Sequence, residues 1–319
     1  MKILEVSRYK DNFANHQLPF VTEQGEALRM LGCEVEYFLV RGNYLAAVKE
    51  LKIKIRTFQP DIVHAHYGLS AITAELQSLC PVVTTFHNGE TLTWWVNLLS
   101  SLCSLRAKHV IYVAQHIRDL CYLKHPNYTI LPCGVPLDLL PMTPFAEARK
   151  QLGWSNNKKY IMFGGAFSNL RKNYPLLRDA LALLQRNDIE VVEMKGLSRA
   201  ECTLRMCGCD LFALPTHSEG SPQALKEAMA CNCPIVATDC ADIAHLLGNL
   251  PGHYILRNPR KTKERWDGDV HSVQEMAALV EQGLAFGQRT EGRKRITELH
   301  LDNTQVAKQL MDIYRTIVK

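Results

Sequence analysis

Short apolar runs alternate with amphipathic helical stretches along most of the chain, and this alternation is the strongest constraint on its fold. Six such runs occupy the first part of the sequence: KILEVS (2–7), EVEYFLV (34–40), DIVHAHY (61–67), PVVTTFH (81–87), HVIYVA (109–114) and YTILPCG (128–134). Continuous runs rich in β-branched residues are typical of strands buried on both faces of a parallel sheet. Between them, Ala27, Leu28 and Leu31 recur at helical spacing, and Gly32 is predicted to end that helix. The alternation predicts a doubly wound α/β lobe.

The same pattern restarts in the second half of the chain. Thr143 and Pro144 are predicted as the N-cap and first residue of a short helix. Four further strands follow: YIMFGGA (160–166), IEVVEMK (189–195), DLFALPT (210–216) and PIVATD (234–239). We therefore expect two Rossmann-like lobes facing across a cleft, with residues 1–145 in the first and 146–302 in the second. Residues 303–319 are amphipathic and are expected to form a terminal helix that docks back on the first lobe.

Composition and charge exclude several classes of protein. Hydrophobic residues make up 47% and charged residues 22%, which excludes a fibre or a disordered chain. A formal net charge of +5 falls well short of a nucleic-acid-binding surface. No apolar stretch reaches the ~18 residues of a membrane span and no secretory signal is recognised, so we expect a cytoplasmic protein. The 11 cysteines are expected to be free, mostly buried thiols, because their spacing does not match that of structural zinc sites.

Common nucleotide and hydrolase motifs are missing from the sequence. The first strand is followed by RYKDNFANH rather than by G-x-G-x-x-G, and neither a P-loop nor G-x-S-x-G occurs. These observations argue against a dinucleotide site after the first strand, a P-loop ATPase and the common hydrolases. Asp267 and Asp269 could be taken for a metal-binding pair, but they lie in a basic stretch that we expect to be a solvated turn.

The most informative segment is THSEGSPQALKEAMACNCPIVATD (216–239), which connects two predicted strands. Ser221 is predicted to cap a helix whose first residue is Pro222, and the start of such a helix attracts anions. Glu219 precedes this helix and Glu227 lies within it. Since a carboxylate can accept hydrogen bonds from a ribose diol, the segment predicts a nucleotide-sugar site. Two glutamates on a solvated helix face are the alternative.

A second segment of the second lobe, at the end of a predicted strand, carries further candidate site residues. Gly164 and Gly165 would let the backbone approach a ligand, and Arg171 and Lys172 are predicted early in the next helix, where a diphosphate would compensate their charge. A solvated basic pair is the alternative.

Histidines end two strands of the first lobe. His87 ends one strand, and His64 and His66 share one face of its neighbour by alternation. Each is either a structural residue of the core or part of the site.

These motifs together resemble the retaining glycosyltransferases of family 4 (group 1), which have the GT-B fold. The most specific part is E-x7-E, present as Glu219 and Glu227, with support from PDIVHAHYG (60–68), FHNGE (86–90), LPCGVPLDLL (131–140) and GGAFSNLRKNYPLL (164–177). The resemblance implies transfer of a hexosyl or N-acetylhexosaminyl group from a UDP- or GDP-sugar, with retention and without a metal or other cofactor. The implied acceptor is a carbohydrate or a lipid-linked glycan, in cell-surface polysaccharide synthesis.

The resemblance also implies roles for individual residues. Lys172 matches the diphosphate-binding lysine, Glu227 the ribose-binding glutamate and Glu219 the glutamate near the donor sugar, while His87 matches the histidine at the reacting centre. The expected catalytic residues are His87, Glu219 and Lys172. The expected donor-binding residues are Gly164, Gly165, Arg171, Lys172, Gly220, Ser221, Pro222 and Glu227. The acceptor-side candidates are His66, Asn88 and Glu90.

Three departures from the family pattern keep other interpretations open. Ala166 stands where the family often has an arginine, residues 11–16 lack the usual glycines, and FHNGE replaces the commoner F-H-G-x-D. A nucleotide-sugar-binding pseudoenzyme is therefore one alternative. A sugar-nucleotide epimerase, which also uses two α/β lobes and the same donors, is the other.

Residues 92–109 combine tryptophans and leucines at helical spacing with Arg106 and Lys108. We expect this helix to pack in the core of the first lobe. Peripheral contact with an anionic membrane, at the inner face of the cytoplasmic membrane, is the alternative.

Overall fold

The computed structural model describes residues 1–11, 16–257 and 270–318. The chain divides into two compact units, one formed by Met1–Gly134 with Leu301–Lys319 and the other by Val135–His300. Asp267 and Asp269 lie outside the described residues.

The first unit contains, among its described residues, a parallel sheet of six strands in the order β2-β1-β3-β4-β5-β6. Its strands are β1 (Lys2–Arg8), β2 (Glu34–Val40), β3 (Ile62–His66), β4 (Val82–Phe86), β5 (His109–Tyr112) and β6 (Tyr128–Ile130). Its helices are α1 (Pro19–Met30), α2 (Ala47–Phe58), α3 (Gly68–Glu75), α4 (Trp94–Ser104), α5 (Gln115–Leu120) and α13 (Asn303–Ile317). The central strands β3 and β4 are buried along their whole length, as predicted for strands covered on both faces of a parallel sheet.

The C-terminal helix α13 belongs to the core of the first unit. Val306, Leu310 and Tyr314 are buried in one cluster with Ile3 of β1 and Leu28 of α1. Because burial of a large apolar side chain contributes roughly 1.5–3 kcal/mol, α13 is an integral part of this unit.

The second unit contains, in its described part, a parallel sheet of five strands in the order β11-β10-β9-β7-β8. The strands are β7 (Lys159–Phe163), β8 (Ile189–Glu193), β9 (Leu211–Leu214), β10 (Ile235–Thr238) and β11 (His253–Leu256). The helices are α6 (Phe145–Leu152), α7 (Tyr174–Leu184), α8 (Arg199–Gly208), α9 (Gln223–Ala230), α10 (Ile243–Leu247), α11 (Val270–Ala285) and α12 (Gly292–Glu298). The ten predicted strands are confirmed, and the edge strand β11 was not predicted from the sequence. All 11 cysteines of the chain are free thiols, and most are buried, as predicted.

Helix ends follow the sequence signals with two corrections. Gly32 has a φ of +86° just beyond α1, the left-handed conformation that its predicted role requires. By contrast, Thr143 and Ser221 do not cap α6 and α9. The N-cap residues are Pro144 and Pro222, because these prolines have extended ψ angles of 140° and 112° and each helix starts one residue later.

Helix α4 corrects a further prediction, because its apolar face is exposed and its polar face is buried. The exposed side chains, each 39–68% accessible, are Trp94, Trp95, Leu98, Leu99, Leu102 and Leu105. The buried face carries Asn97 and small serines. Asn97 Nδ2 donates to the Leu120 carbonyl at 2.8 Å, and Asn97 Oδ1 accepts from Ser101 Oγ at 3.1 Å. The close approach of α3 favours this face, since a Cβ on Gly68 would lie 2.2 Å from the Ser100 side chain. The expected core packing of the leucines was therefore wrong.

Among the described residues, none of the helices is long and apolar enough to cross a membrane.

Candidate functional site

Two loops meet at the carboxyl ends of β7 and β9, which are neighbours in the second sheet. The loop after β7 contains a short 3-10 helix, Leu170–Lys172, and the loop after β9 leads to α9. The Arg171 carbonyl accepts from Thr216 Oγ1 at 3.1 Å and from the His217 amide at 2.9 Å. These bonds fix the two loops to each other, so the side chains that they carry have defined neighbours.

Lys172 and Glu219 form a nearly buried ion pair in this pair of loops. Lys172 Nζ lies 2.7 Å from Glu219 Oε1, and the two side chains are only 13% and 9% exposed. Thr216 Oγ1 donates to the same carboxylate oxygen at 2.9 Å. Gly165 makes room for the lysine stem, since a Cβ there would lie 2.8 Å from Lys172 Cγ. Two predicted site residues are thus in direct contact.

The 3-10 helix corrects the prediction that Arg171 and Lys172 stand early in an α-helix. They precede α7, and the Asn169 side chain accepts from the Arg171 amide at 3.2 Å. The charge of Lys172 is balanced by Glu219 rather than opposed by a helix dipole. Arg171 is exposed. Packing explains the glycine at position 164, because a Cβ there would lie 2.8 Å from the Phe212 and Leu214 side chains.

The start of α9 lies directly beyond Glu219 in the chain. The first amides of an α-helix have no acceptor within the helix, and the positive end of the helix dipole lies there. Gly220 and Pro222 are buried. The hydroxyl oxygen of Ser221 is buried without a hydrogen-bond partner, although a buried polar atom normally has one. This orphan hydroxyl and the helix start together favour an anionic ligand.

Glu227 of α9 is paired with a residue that the sequence analysis did not identify. Arg199 Nη1 donates to Glu227 Oε1 at 2.8 Å, and the side chains are 28% and 12% exposed. Arg199 is the first residue of α8, whose start is marked by a capping box between Ser198 and Glu201. That motif predicts the helix start, but no local signal predicts a pair separated by 28 residues.

In the first unit, Glu90 is an internal support of the loop after β4. Its side chain is 1% exposed and accepts from the amides of Gly68, Asn88 and His87 at 2.9, 3.0 and 3.2 Å. Burial raises the pKa of the Glu90 carboxyl, while these amides act in the opposite direction. Glu90 therefore contacts the backbone that carries His87.

The predicted histidines of the first unit come together beside a carboxylate that the sequence analysis missed. His66 Nε2 lies 2.8 Å from Glu5 Oε2, and His66 Nδ1 lies 3.2 Å from His87 Nε2. The His64 and His66 rings are stacked with centroids 4.6 Å apart, which confirms that they share a strand face. A charged residue inside the apolar run KILEVS was the available signal for Glu5.

Backbone strain marks the same edge of the first sheet. Tyr67 follows β3 with a φ of +70°, and Asn88 follows β4 with a φ of +135°. Such angles are uncommon outside glycine and cluster at functional sites. The Tyr67 and His87 rings are 4.6 Å apart, which adds Tyr67 to the surroundings of His87.

One group in the described part of the chain has metal-ligand composition and spacing. The ligand atoms of Glu5, His64 and His66 all lie within 4.8 Å of one another. However, the His64 nitrogens lie 2.6 Å from the Tyr314 hydroxyl and 2.7 Å from Thr85 Oγ1. These separations, and that between His66 and Glu5, are typical of hydrogen bonds. The three side chains therefore form a buried hydrogen-bond cluster.

Models of known protein families match both units. Residues 33–139 match the model described as Glycosyltransferase Family 4, and residues 180–265 match the model described as Glycosyl transferases group 1.

Named relatives are similar over much of the chain. A Bacillus subtilis protein, the putative teichuronic acid biosynthesis glycosyltransferase TuaC, is 24% identical over 61% of this chain and 57% of its own length. The match thus spans little more than half of that relative. The phosphatidyl-myo-inositol mannosyltransferase of Mycobacterium tuberculosis is 25% identical over 81% of this chain and 74% of its own.

Solved structures show the same fold. Sucrose-phosphate synthase from Thermosynechococcus elongatus has a TM-score of 0.77 at 16% identity, over 99% of this chain and 98% of that one. Anabaena Alr3699/HepE in complex with UDP-glucose has a TM-score of 0.72 at 15% identity, over 99% and 100% of the two chains. With two Rossmann-like units of the GT-B type and a matching family model on each, the chain belongs to the family 4 (group 1) glycosyltransferases.

Proposed function

We propose that the protein moves a hexosyl or N-acetylhexosaminyl group from a UDP- or GDP-sugar to a carbohydrate or lipid-linked glycan, with retention and without a metal ion. The product would belong to a cell-surface polysaccharide or glycolipid. The observation that carries the proposal is the ion pair between Lys172 and Glu219 beside the start of α9. Support comes from the relative named for teichuronic acid biosynthesis and from the similar Anabaena structure, which holds UDP-glucose.

The diphosphate would bind where cations and hydrogen-bond donors already gather. Lys172 would exchange its contact with Glu219 for a phosphate oxygen, and the Ser221 hydroxyl would gain the partner that it lacks. The first amides of α9 would add further donors. Negative charge grows on this group as it leaves, and each donor placed to meet such charge typically contributes about 2.7–4 kcal/mol. Glu219, released from Lys172, could then accept from hydroxyls of the donor sugar.

The ribose would be bound by Glu227. A carboxylate has about four acceptor positions, so the bond from Arg199 leaves capacity for both hydroxyls of a vicinal diol. Arg199 would hold the carboxylate in one orientation before the nucleotide binds. Binding would then not have to supply the entropic cost of ordering this side chain.

We assign the acceptor side to the first unit, with His87 as its central residue. The side chain of His87 is 9% exposed at the carboxyl end of the sheet, where open α/β folds bind ligands. In the transfer step, the bond from the anomeric carbon to the phosphate oxygen breaks while the acceptor oxygen attacks the same face. The acceptor proton passes to the departing phosphate oxygen, so the step needs no external acid.

The apolar surface of α4, formed by Trp94, Trp95, Leu98, Leu99, Leu102 and Leu105, supports contact with a membrane. Arg106 and Lys108 are exposed directly after it. Arg106 also reaches Ser78 Oγ at 3.4 Å, in a loop that exposes Leu76 and Leu79. A large apolar patch with basic residues at its edge is typical of proteins that bind anionic membranes peripherally. The proposed location is the inner face of the cytoplasmic membrane, where a lipid-linked acceptor would be available.

A thermal-shift screen against UDP, GDP and their common sugar conjugates tests the donor site. At about 100 times its Kd a ligand adds ~2.7 kcal/mol, and ~1 kcal/mol raises the Tm of domains this size by about 2–4 °C. The expected result is a shift with one base, reduced in Glu227→Gln and kept in Glu147→Gln, whose side chain is exposed on α6. No shift with any nucleotide would contradict the proposal.

Product analysis separates the remaining functions. A transferase releases the nucleoside diphosphate when an acceptor is added, an epimerase returns an isomeric nucleotide sugar, and a pseudoenzyme binds without turnover. Only the first outcome agrees with the proposal.

A further inference from the structure

A line of buried polar side chains leads from the middle of the first sheet to His87. Glu5 lies on β1, His66 on the adjacent β3, and His87 directly follows β4, the next strand of the sheet. Their exposed fractions are 1%, 0% and 9%. Oε2 of Glu5 is 2.8 Å from Nε2 of His66, and Nδ1 of His66 is 3.2 Å from Nε2 of His87. The three side chains form one continuous hydrogen-bonded chain.

Glu5 is held as a carboxylate in spite of its burial. Burial by itself raises the pKa of its carboxyl, but His64 and His66 when protonated, and the hydrogen bonds from His66 and Gln24 even when the rings are neutral, lower it, and the net shift is downward. Gln24 Nε2 adds a hydrogen bond to Glu5 Oε1 at 3.2 Å. A charge buried in this way is costly unless several donors face it. The cluster therefore supplies a fixed negative charge beneath the histidines.

The charge of Glu5 determines which ring nitrogens carry protons. A carboxylate only accepts hydrogen bonds, so Nε2 of His66 must donate to it. In a neutral His66 the other nitrogen, Nδ1, is then an acceptor, and Nε2 of His87 must donate to it. The basic nitrogen of His87 is consequently Nδ1, which lies 3.8 Å from Cys133 Sγ.

We propose that Glu5 and His66 are positioning residues for His87: the buried carboxylate sets the tautomer of His66, and His66 sets the tautomer and ring orientation of His87. The same chain stabilises the protonated form of His87, in which Nδ1 also carries a proton, because Glu5 supplies the compensating charge two rings away. Removal of Glu5 would leave His87 in a mixture of tautomers and with a weaker hold on its proton. The inference rests on the proposed function, in which His87 serves the transfer step.

His64 occupies the same cluster but belongs to a separate branch. Its nitrogens contact the Tyr314 hydroxyl and Thr85 Oγ1, and burial lowers its pKa to about 3, so that it stays neutral. Tyr314 therefore offers a matched control, since Tyr314→Phe removes one buried hydrogen bond from the cluster without touching the bonds between Glu5, His66 and His87. Other titratable groups that face the three residues are Glu90, Cys133, Tyr67, Tyr37, His64 and Tyr314.

Nitrogen NMR of the histidine-labelled full chain tests the inference without any assay of turnover. The His87 signals are assigned by their loss in His87→Gln. In the wild type we expect His87 as the Nε2–H tautomer. In Glu5→Gln we expect mixed tautomers and a titration midpoint about one pH unit lower, a roughly tenfold loss of proton affinity. Tyr314→Phe should keep both wild-type values.

Two results would overturn the inference. One is a wild-type protein in which His87 carries its proton on Nδ1. This measurement does not depend on whether Glu5→Gln folds. The other is a folded Glu5→Gln with unchanged His87 signals. Because these spectra need no substrate, a protein without transferase activity could still show the predicted tautomer. Failure of this inference and failure of the proposed function are therefore distinguishable. In an active enzyme the acidic limb of the kcat profile should move with Glu5→Gln and stay in place with Tyr314→Phe.

Discussion

Lys172 Nζ lies 2.7 Å from Glu219 Oε1, and both side chains are almost buried. This pair joins two loops at the carboxyl ends of neighbouring strands, directly before α9. A nearly buried pair of this kind gives little net stability over an apolar pair, yet it is costly to break from one side. In the proposed function it serves as a preformed contact that a ligand with negative charge can exchange.

Substitution of Lys172 tests the leaving-group role. In Lys172→Ala we expect kcat/KM to fall by about 10²–10³, because one donor to the departing diphosphate is lost. The measurement is nucleoside diphosphate release with a saturating acceptor. Lys150→Ala, at an exposed position of α6, is the matched control and should behave as wild type. A folded Lys172→Ala enzyme with wild-type kcat/KM would refute the role.

Glu227 should discriminate between nucleotides by their ribose hydroxyls. Hydrogen bonds to a charged group contribute about 1.5–3 kcal/mol, so the wild type should bind UDP or GDP at least ~10-fold more tightly than the 2′,3′-dideoxy analogue. In Glu227→Gln most of this preference should disappear. Titration calorimetry measures all four affinities. An equal preference in both proteins would mean that Glu227 does not contact the ribose.

Binding to vesicles should depend on the apolar surface of α4 and on salt. We expect the protein to sediment with vesicles that contain phosphatidylglycerol, and less so with phosphatidylcholine alone. Leu98→Glu should weaken binding about 10–100-fold, since burial of one leucine contributes roughly 1.5–3 kcal/mol. Arg106→Gln and Lys108→Gln should each cost ~1 kcal/mol at low salt and less at high salt.

The control for this experiment is Ile53→Glu, which changes an exposed apolar residue of α2 in the same unit. Equal binding of Leu98→Glu and Ile53→Glu would exclude the α4 surface as the membrane contact. If Leu98→Glu instead dissolved a dimer, a second copy of the chain would be the partner of this surface.

The pH dependence of stability should reveal Glu75. Burial raises the pKa of its carboxyl to about 8 from an ordinary value of 4.5. Between these values the native protein keeps a proton that the unfolded chain has lost, so the contribution of this group to stability falls as the pH rises, by up to ~1.4 kcal/mol per pH unit. The Tm of Glu75→Gln should equal that of the wild type near pH 4.5 and exceed it at about pH 8. A wild type that loses no stability relative to Glu75→Gln over this window would contradict the shift.

Sequence patterns predicted the sheets well because strand burial depends on local composition. The strand β9 is continuously apolar, the strand β3 is interrupted only by His64 and His66, and both strands are fully buried. The missed strand β11 is short and only partly buried at the edge of its sheet, so its sequence carries a weaker signal. Helix α4 shows a different limit, because its periodicity defines an apolar face but not whether that face meets the core or solvent.

The candidate site was predicted where its residues lie in one segment and missed where they pair across the fold. Glu219 and Glu227 were recognised from their place between a strand and a helix and from the family motif that they match, whereas Arg199, the partner of Glu227, has no local signal. Similarly, alternation predicted that His64 and His66 share a face, but only the adjacent strand brings Glu5 to them. Contacts of this kind depend on strand order and register, which sequence patterns do not specify.

A crystal structure with UDP or GDP, whichever gives the larger thermal shift, tests the proposed donor site most directly. The expected complex has phosphate oxygens within hydrogen-bond distance of Lys172 Nζ and Ser221 Oγ, and ribose hydroxyls on the carboxylate of Glu227. A nucleotide bound away from the start of α9, with the bond between Lys172 and Glu219 intact, would contradict the proposed function.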